Sequence, residues 1–173
     1  MADLGTLFAT KTDTAESSRW YSSQLAKLGT QNPTGIVGQS KSLFANQLLP
    51  GRMYLYAYDP KLKDTLAMYD TFPLVIPFNV VSDGFYGINL HYLQYPLRER
   101  ILGKLMEWAA GSNEDRYLQF SYQMLNSAAR LKPVKECVKH YLNAHIRSRF
   151  LQIPINDWNT AAMLPLQRFI YKA

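Results

Sequence analysis

The chain has 173 residues, 47% hydrophobic and 13% aromatic, enough for one domain with a core and an appendage. It holds no apolar run of about 18 residues for a membrane span, no basic-then-apolar start for a secretory signal, and one cysteine, Cys137, which excludes an internal disulfide or a multi-cysteine zinc site and fits synthesis in a reducing cytosol. The formal net charge of +6 is uneven: residues 1–95 carry seven Lys/Arg against seven Asp/Glu, and residues 96–173 carry twelve against six.

Residues 1–50, rich in Ser, Thr, Gln and Asn, read as an N-terminal helical arm. DTAESSRWYSSQLAKLG is predicted as a short helix, with Asp13 and Glu16 at capping-box spacing and Gly29 as its stop. Trp20, Tyr21, Gln24, Leu25 and Leu28 share one face, and TQNPTGIVGQSKS reads as a tether. Such a helix either packs back on its own domain or docks on a neighbouring subunit. We expect docking, with Trp20 and Tyr21 as anchors.

Residues 51–173 read as a single α+β domain. Its fold is expected to be a small SH3-like β-barrel or an antiparallel sheet, flanked by C-terminal helices. Residues 51–95 are expected to form β-hairpins. RMYLYAY alternates, with Met53, Leu55 and Ala57 on one face and Tyr54, Tyr56 and Tyr58 on the other. That tyrosine face is either an interface, covered by another chain or by the arm, or a second internal core. In FPLVIPFNVV, Pro73 and Pro77 point to an edge strand or a bulge. SDG is hairpin chemistry, with Gly84 as the residue that tolerates positive φ.

Residues 96–146 read as helices. PLRERILGKLMEWAAG runs from Pro96 to Gly111, with an apolar stripe of Leu97, Ile101, Leu102, Leu105, Met106 and Ala109. The next helix opens with Ser112 and Asp115 spaced as a capping box. PVKECVKHYLNAHI reads as a third helix, with Val134, Val138, Tyr141, Leu142 and His145 inward and Lys135, Lys139 and His140 outward. Residues 147–173 read as strand, helix and strand.

Asp70, Asp83 and His91 are the one grouping that suggests acid–base or metal chemistry. A simple hairpin places the two aspartates near opposite ends of one strand, and turn chemistry accounts for Asp83. His91 on a strand suits a hydrogen-bonded structural role. His140 and His145, five residues apart, would leave a helix on different faces. HExxH, GxSxG and a Gly-rich phosphate loop are absent from the sequence. Cys137 reads as an inert core thiol. No catalytic residue, metal ligand or cofactor is expected, and the protein reads as not an enzyme.

The basic excess concentrates in Arg130, Lys132, Lys135, Lys139, Arg147 and Arg149, against Glu136 alone between residues 130 and 149. With Lys135 and Lys139 one helical turn apart, the six are expected to form one positive surface for nucleic acid or an acidic protein partner. The alternative is a solvated lysine-rich helix face.

LLPGRMYLYAYDPKLKDTLAMYDTFPLVIPF, DGFYGINLHYLQYPLRERIL and HIRSRFLQIPINDWNTAAMLP resemble the virion proteins of T-even-like bacteriophages, over about residues 48–168. Some members of that family are known as DNA end protectors or head-completion proteins. The resemblance implies a structural protein of a tailed phage virion, assembled in the host cytoplasm within a large oligomeric particle. Its implied partners are other virion proteins and, at head completion, the end of the packaged double-stranded DNA. The alternative is a neck, tail or baseplate component that contacts only protein. No catalytic residue is implied.

Overall fold

The computed structural model describes residues 45, 47–163 and 166–172. The helix bearing Trp20 and Tyr21, and its tether, lie outside the described residues. Seven strands run along the described chain: β1 (Met53–Leu55), β2 (Met68–Asp70), β3 (Leu74–Val81), β4 (Gly84–Asn89), β5 (Val138–Leu142), β6 (Leu151–Ile153) and β7 (Phe169–Tyr171). The helices are α1 (Tyr95–Gly111), α2 (Glu114–Ala128), α3 (Lys132–Lys135) and α4 (Trp158–Met163). Five strands form one antiparallel sheet in the order β5-β4-β3-β1-β6, while β2 and β7 form a separate ribbon. Of the two expected forms, the antiparallel sheet is the one observed.

Alternation decides what each strand buries. Met53, Leu55 and Ala57, with Leu74, Ile76 and Ile88, face α1, α2 and α4 in the main core. Tyr54, Tyr56 and Tyr58, with Val75, Phe85 and Tyr141, fill a second core on the opposite face. Pro77 sits at a bulge, not at an edge: β3 lies between β4 and β1, and its register shifts between Pro77 and Asn79. The expected stripe of α1 is buried at Ile101, Leu102 and Leu105, and Arg98 joins it. Arg98 donates to the carbonyls of Leu93, Ala162 and His91 and lies over the Tyr95 ring, so it ties α1 to α4, with no carboxylate partner among the described residues.

Two local expectations are corrected. The cap of α2 is Asn113, whose side chain accepts from the Arg116 N–H, rather than a Ser112–Asp115 box. Gly84 does not have positive φ; a Cβ there would lie 1.9 Å from the Tyr141 carbonyl oxygen, so glycine is needed for close strand approach. Among the described residues the left-handed glycine is Gly51 (φ 79°), where a Cβ would strike Ser121 of α2.

The largest correction is residues 134–146. The helix there stops at Lys135, and Val138–Leu142 is an edge strand paired to β4 from Ile88↔Val138 to Gly84↔Leu142. Tyr141 alternates into the aromatic core, and pairing with β4 outweighs local helical spacing. Lys135 and Lys139 are therefore not one helical turn apart. Likewise Arg147 and Arg149 precede β6 rather than alternate along it.

Candidate functional site

The grouping of Asp70, Asp83 and His91 resolves around one buried carboxylate. Asp70, at the end of β2, accepts from the backbone N–H of Phe72 (3.0 Å) and of Arg168 (3.1 Å) through Oδ1. Its Oδ2 faces His91 Nδ1 at 2.5 Å and Asn89 Nδ2 at 3.4 Å. Asn89 also donates to the Tyr141 hydroxyl (3.0 Å) and accepts from the His91 N–H (3.0 Å). A carboxylate only accepts, so Nδ1 carries the ring hydrogen. This arrangement joins β2, the β7 approach, β4 and β5. Asp70 and Asn89 direct these hydrogen bonds into the fold, while the His91 Nε2 is buried with no partner among the described residues. Asp83 lies apart, in the β3–β4 turn, with His140 Nε2 3.2 Å from its carboxylate. Among the described residues no group of three or more His, Cys, Asp or Glu is placed to hold a metal ion.

Beside this network opens a cavity of about 290 Å³, bounded by β4, β5 and the segment from Tyr58 to Asp70. Its buried end is Asp70, Asn89 and Tyr141. Leu62, Leu66 and Met68 give it aliphatic walls, and Tyr58, Tyr69 and Tyr92 give it aromatic ones. Lys61, Lys139 and His140 bring positive or ionisable groups to it.

Lys139 is half-buried, with its Nζ 4.3 Å from the centroid of the Tyr92 ring. Burial holds its pKa below the usual lysine value. Among the described residues no carboxylate lies within salt-bridge distance of it. The Tyr92 hydroxyl is pushed up to about 12, chiefly by burial and then by the nearby Asp70 charge.

The six basic residues divide into three placements. Arg130, Lys132 and Lys135 are exposed around α3. Lys139 lines the cavity. Arg147 and Arg149 follow the far end of β5, on the order of 15 Å of strand away from α3. Arg147 lies 3.6 Å from Asp59 and donates to the Ala144 carbonyl. Tyr54, Tyr56 and Tyr58 pack against Phe85, Tyr141, Ile146 and Phe150, with Ala45 and Leu48 from the preceding segment. Tyr54 binds that segment directly, its hydroxyl accepting from the Leu49 N–H at 2.9 Å.

The cavity itself was not foreseen from sequence, because its walls come from three separated stretches. One signal was available: Lys139 and Tyr141 share a period of two, which on a strand puts a lysine on an otherwise apolar face.

Fold and site together define an α+β domain with an aromatic-lined cavity that includes Lys61 and Lys139. The family described as Phage T4 terminal DNA protecting protein matches the chain over residues 12–173, and the chain belongs to that family. No curated protein and no solved structure matched it.

Proposed function

We propose that this protein is a structural component of a phage head that binds and shields the ends of the packaged DNA, acting at head completion. The observation that carries this reading is the family match over residues 12–173. The placement of charge supports it: the excess of twelve Lys/Arg over six Asp/Glu falls in residues 96–173, and Arg130, Lys132 and Lys135 stand exposed around α3. A phosphate backbone recruits such a surface through counterion release. Shielding an end requires occupancy and no catalytic group. The reading also takes other virion proteins as partners, in an assembly put together in the host cytoplasm and retained in the virion. Trp20 and Tyr21 are its proposed anchors on a neighbouring subunit.

The test is digestion of a linear duplex by an exonuclease with and without the purified chain, alongside binding across a salt series. Protection of the linear duplex is expected. The log–log salt slope should fall by about 0.9 for each phosphate left unneutralised when Arg130, Lys132 or Lys135 is changed to Gln. Digestion at an unchanged rate at saturating protein would overturn the proposal, and salt-independent capture of virion proteins would then favour a neck, tail or baseplate role.

A further inference from the structure

We propose that the cavity between β4, β5 and the Tyr58–Asp70 segment receives the terminal nucleotide of the DNA, with its base against the tyrosine and leucine walls and its phosphate at Lys139. The inference rests on the DNA-end reading above and supplies what a basic surface lacks. Phosphate contacts fix position but carry no information about whether a duplex continues or stops. A protein that protects ends needs a feature that only an end satisfies.

Four observations point to this occupant. At about 290 Å³ the cavity stands at the lower edge of the range for small-ligand sites, which begins at about 300 Å³. The polar groups at its buried end are engaged with one another, Asp70 with His91 and Asn89, and Asn89 with Tyr141. What remains to offer a ligand is therefore flat aromatic surface, aliphatic surface and positive charge. That charge includes Lys139, half-buried over Tyr92 and without a carboxylate partner among the described residues. A partly desolvated ammonium is costly unless an anion meets it, and a nucleotide joins an anion to a planar apolar group.

Entry also favours ends. A base inside a duplex must be unpaired and unstacked from both sides before it can enter a pocket, at a cost of a few kcal/mol, and that cost is least where the base is already loosened. The last base pair has one stacking neighbour rather than two. A pocket of this kind thus discriminates a terminus from an interior position without reading sequence.

The experiment uses the full chain and a blunt duplex with 2-aminopurine as its last base; a control duplex carries it at the centre. The proposal expects a saturable fluorescence change for the terminal probe and none for the central one. Leu66, on the cavity wall, is partly exposed, so Leu66→Trp fills the space from the rim. It should cut the preference for linear over circular duplex about tenfold, the scale of removing one base from an aromatic platform. Lys139→Met should reduce the salt slope by about 0.9.

A measurement on the unaltered protein guards against misfolded variants. A duplex ending in 4-thiothymidine is photo-crosslinked and the adduct mapped; attachment at Tyr69 or Tyr92 supports the proposal. Adducts confined to residues outside the cavity, with linear DNA still preferred, overturn it and leave the DNA-end reading standing. If linear and circular duplexes bind equally, the DNA-end reading fails and the pocket proposal fails with it.

Discussion

The two faces of the five-stranded sheet are filled by different chemistry. On one side Met53, Leu55, Leu74, Ile76 and Ile88 meet three helices, so the sheet's own contribution is aliphatic, with Tyr117 and Trp158 packed in from the helices. On the other, aromatic rings pack edge to face: Tyr56 on Tyr141 at 5.6 Å and 85°, Tyr58 on Tyr141 at 4.9 Å and 82°. Aliphatic packing is non-directional and leaves nothing to satisfy. Tyrosine packing leaves hydroxyls, and a buried hydroxyl usually takes a partner, although that of Tyr56 has none among the described residues. That need draws in the Leu49 N–H, the Leu142 N–H and the Asn89 amide. The polar network and the cavity therefore lie on the tyrosine side. The main core holds the fold, while the aromatic face holds it and also carries the cavity.

The comparison breaks most sharply at Trp158. This residue is fully buried in the main core, and its indole N–H donates to the Ile153 carbonyl at 2.9 Å. Trp158→Ala should cost about 3–5 kcal/mol, read as a lowered midpoint in chemical denaturation. A loss below about 1 kcal/mol would mean that the helical side does not dominate stability.

Asp70 tests the polar side next. Asp70→Asn retains the volume but turns an amide toward donors that now meet a carboxylate, at His91, Asn89, Phe72 and Arg168. A loss of about 2–3 kcal/mol is expected, the scale for hydrogen bonds to a buried charge. If the denaturation midpoint instead stays unchanged, the network is ornamental to stability.

Tyr58→Phe asks for less. Its hydroxyl accepts from the Leu142 N–H at 3.1 Å, beside the cavity, while the ring stays packed on Tyr141. About 1 kcal/mol should be lost, which corresponds to a melting temperature lower by about 2–4 °C. A larger drop would indicate that the aromatic face depends on its hydroxyls more than on its rings.

Sequence periodicity carried much of this asymmetry. The alternation in RMYLYAY separated Met53, Leu55 and Ala57 from Tyr54, Tyr56 and Tyr58, and the structure places the two sets in separate cores. Pro77 pointed to an edge or a bulge because proline cannot donate to the ladder, and of the two the bulge is observed. The stripe of α1 emerged from its 3.6-residue period. Residues 134–146 failed because Val134, Val138, Tyr141 and Leu142 satisfy a helical period while Lys139 and Tyr141 also satisfy a period of two. Only pairing with β4, about 50 residues away in sequence, resolves the choice. The Asp70–His91 pairing was invisible for a related reason. Strand β2 leaves the main sheet to pair with β7, and no local pattern announces a partner 98 residues away at Arg168.

The smallest expected effect on stability belongs to Lys139, and its direction is the informative part. Burial lowers its pKa relative to the unfolded chain, so the unfolded state binds that proton more tightly. The charge therefore opposes folding at every pH below the lowered value. The opposition fades as pH rises through that value toward 10.5, where the unfolded lysine also loses its proton. Lys139→Met keeps the apolar stem over Tyr92 and removes the charge. At neutral pH the variant should be as stable as the unaltered protein or slightly more so. The difference between the two should shrink as pH approaches 10.5. The buried tyrosines Tyr56 and Tyr141 begin to lose stability as pH rises past about 10, where their unfolded forms ionise, because burial raises their folded pKa values well above that. They are common to both proteins, so the variant-minus-unaltered difference in urea midpoint isolates Lys139. A variant that is less stable at neutral pH would show that the ammonium supports the fold through Tyr92. The strained cation offered to a ligand phosphate would then be the wrong account of this side of the sheet.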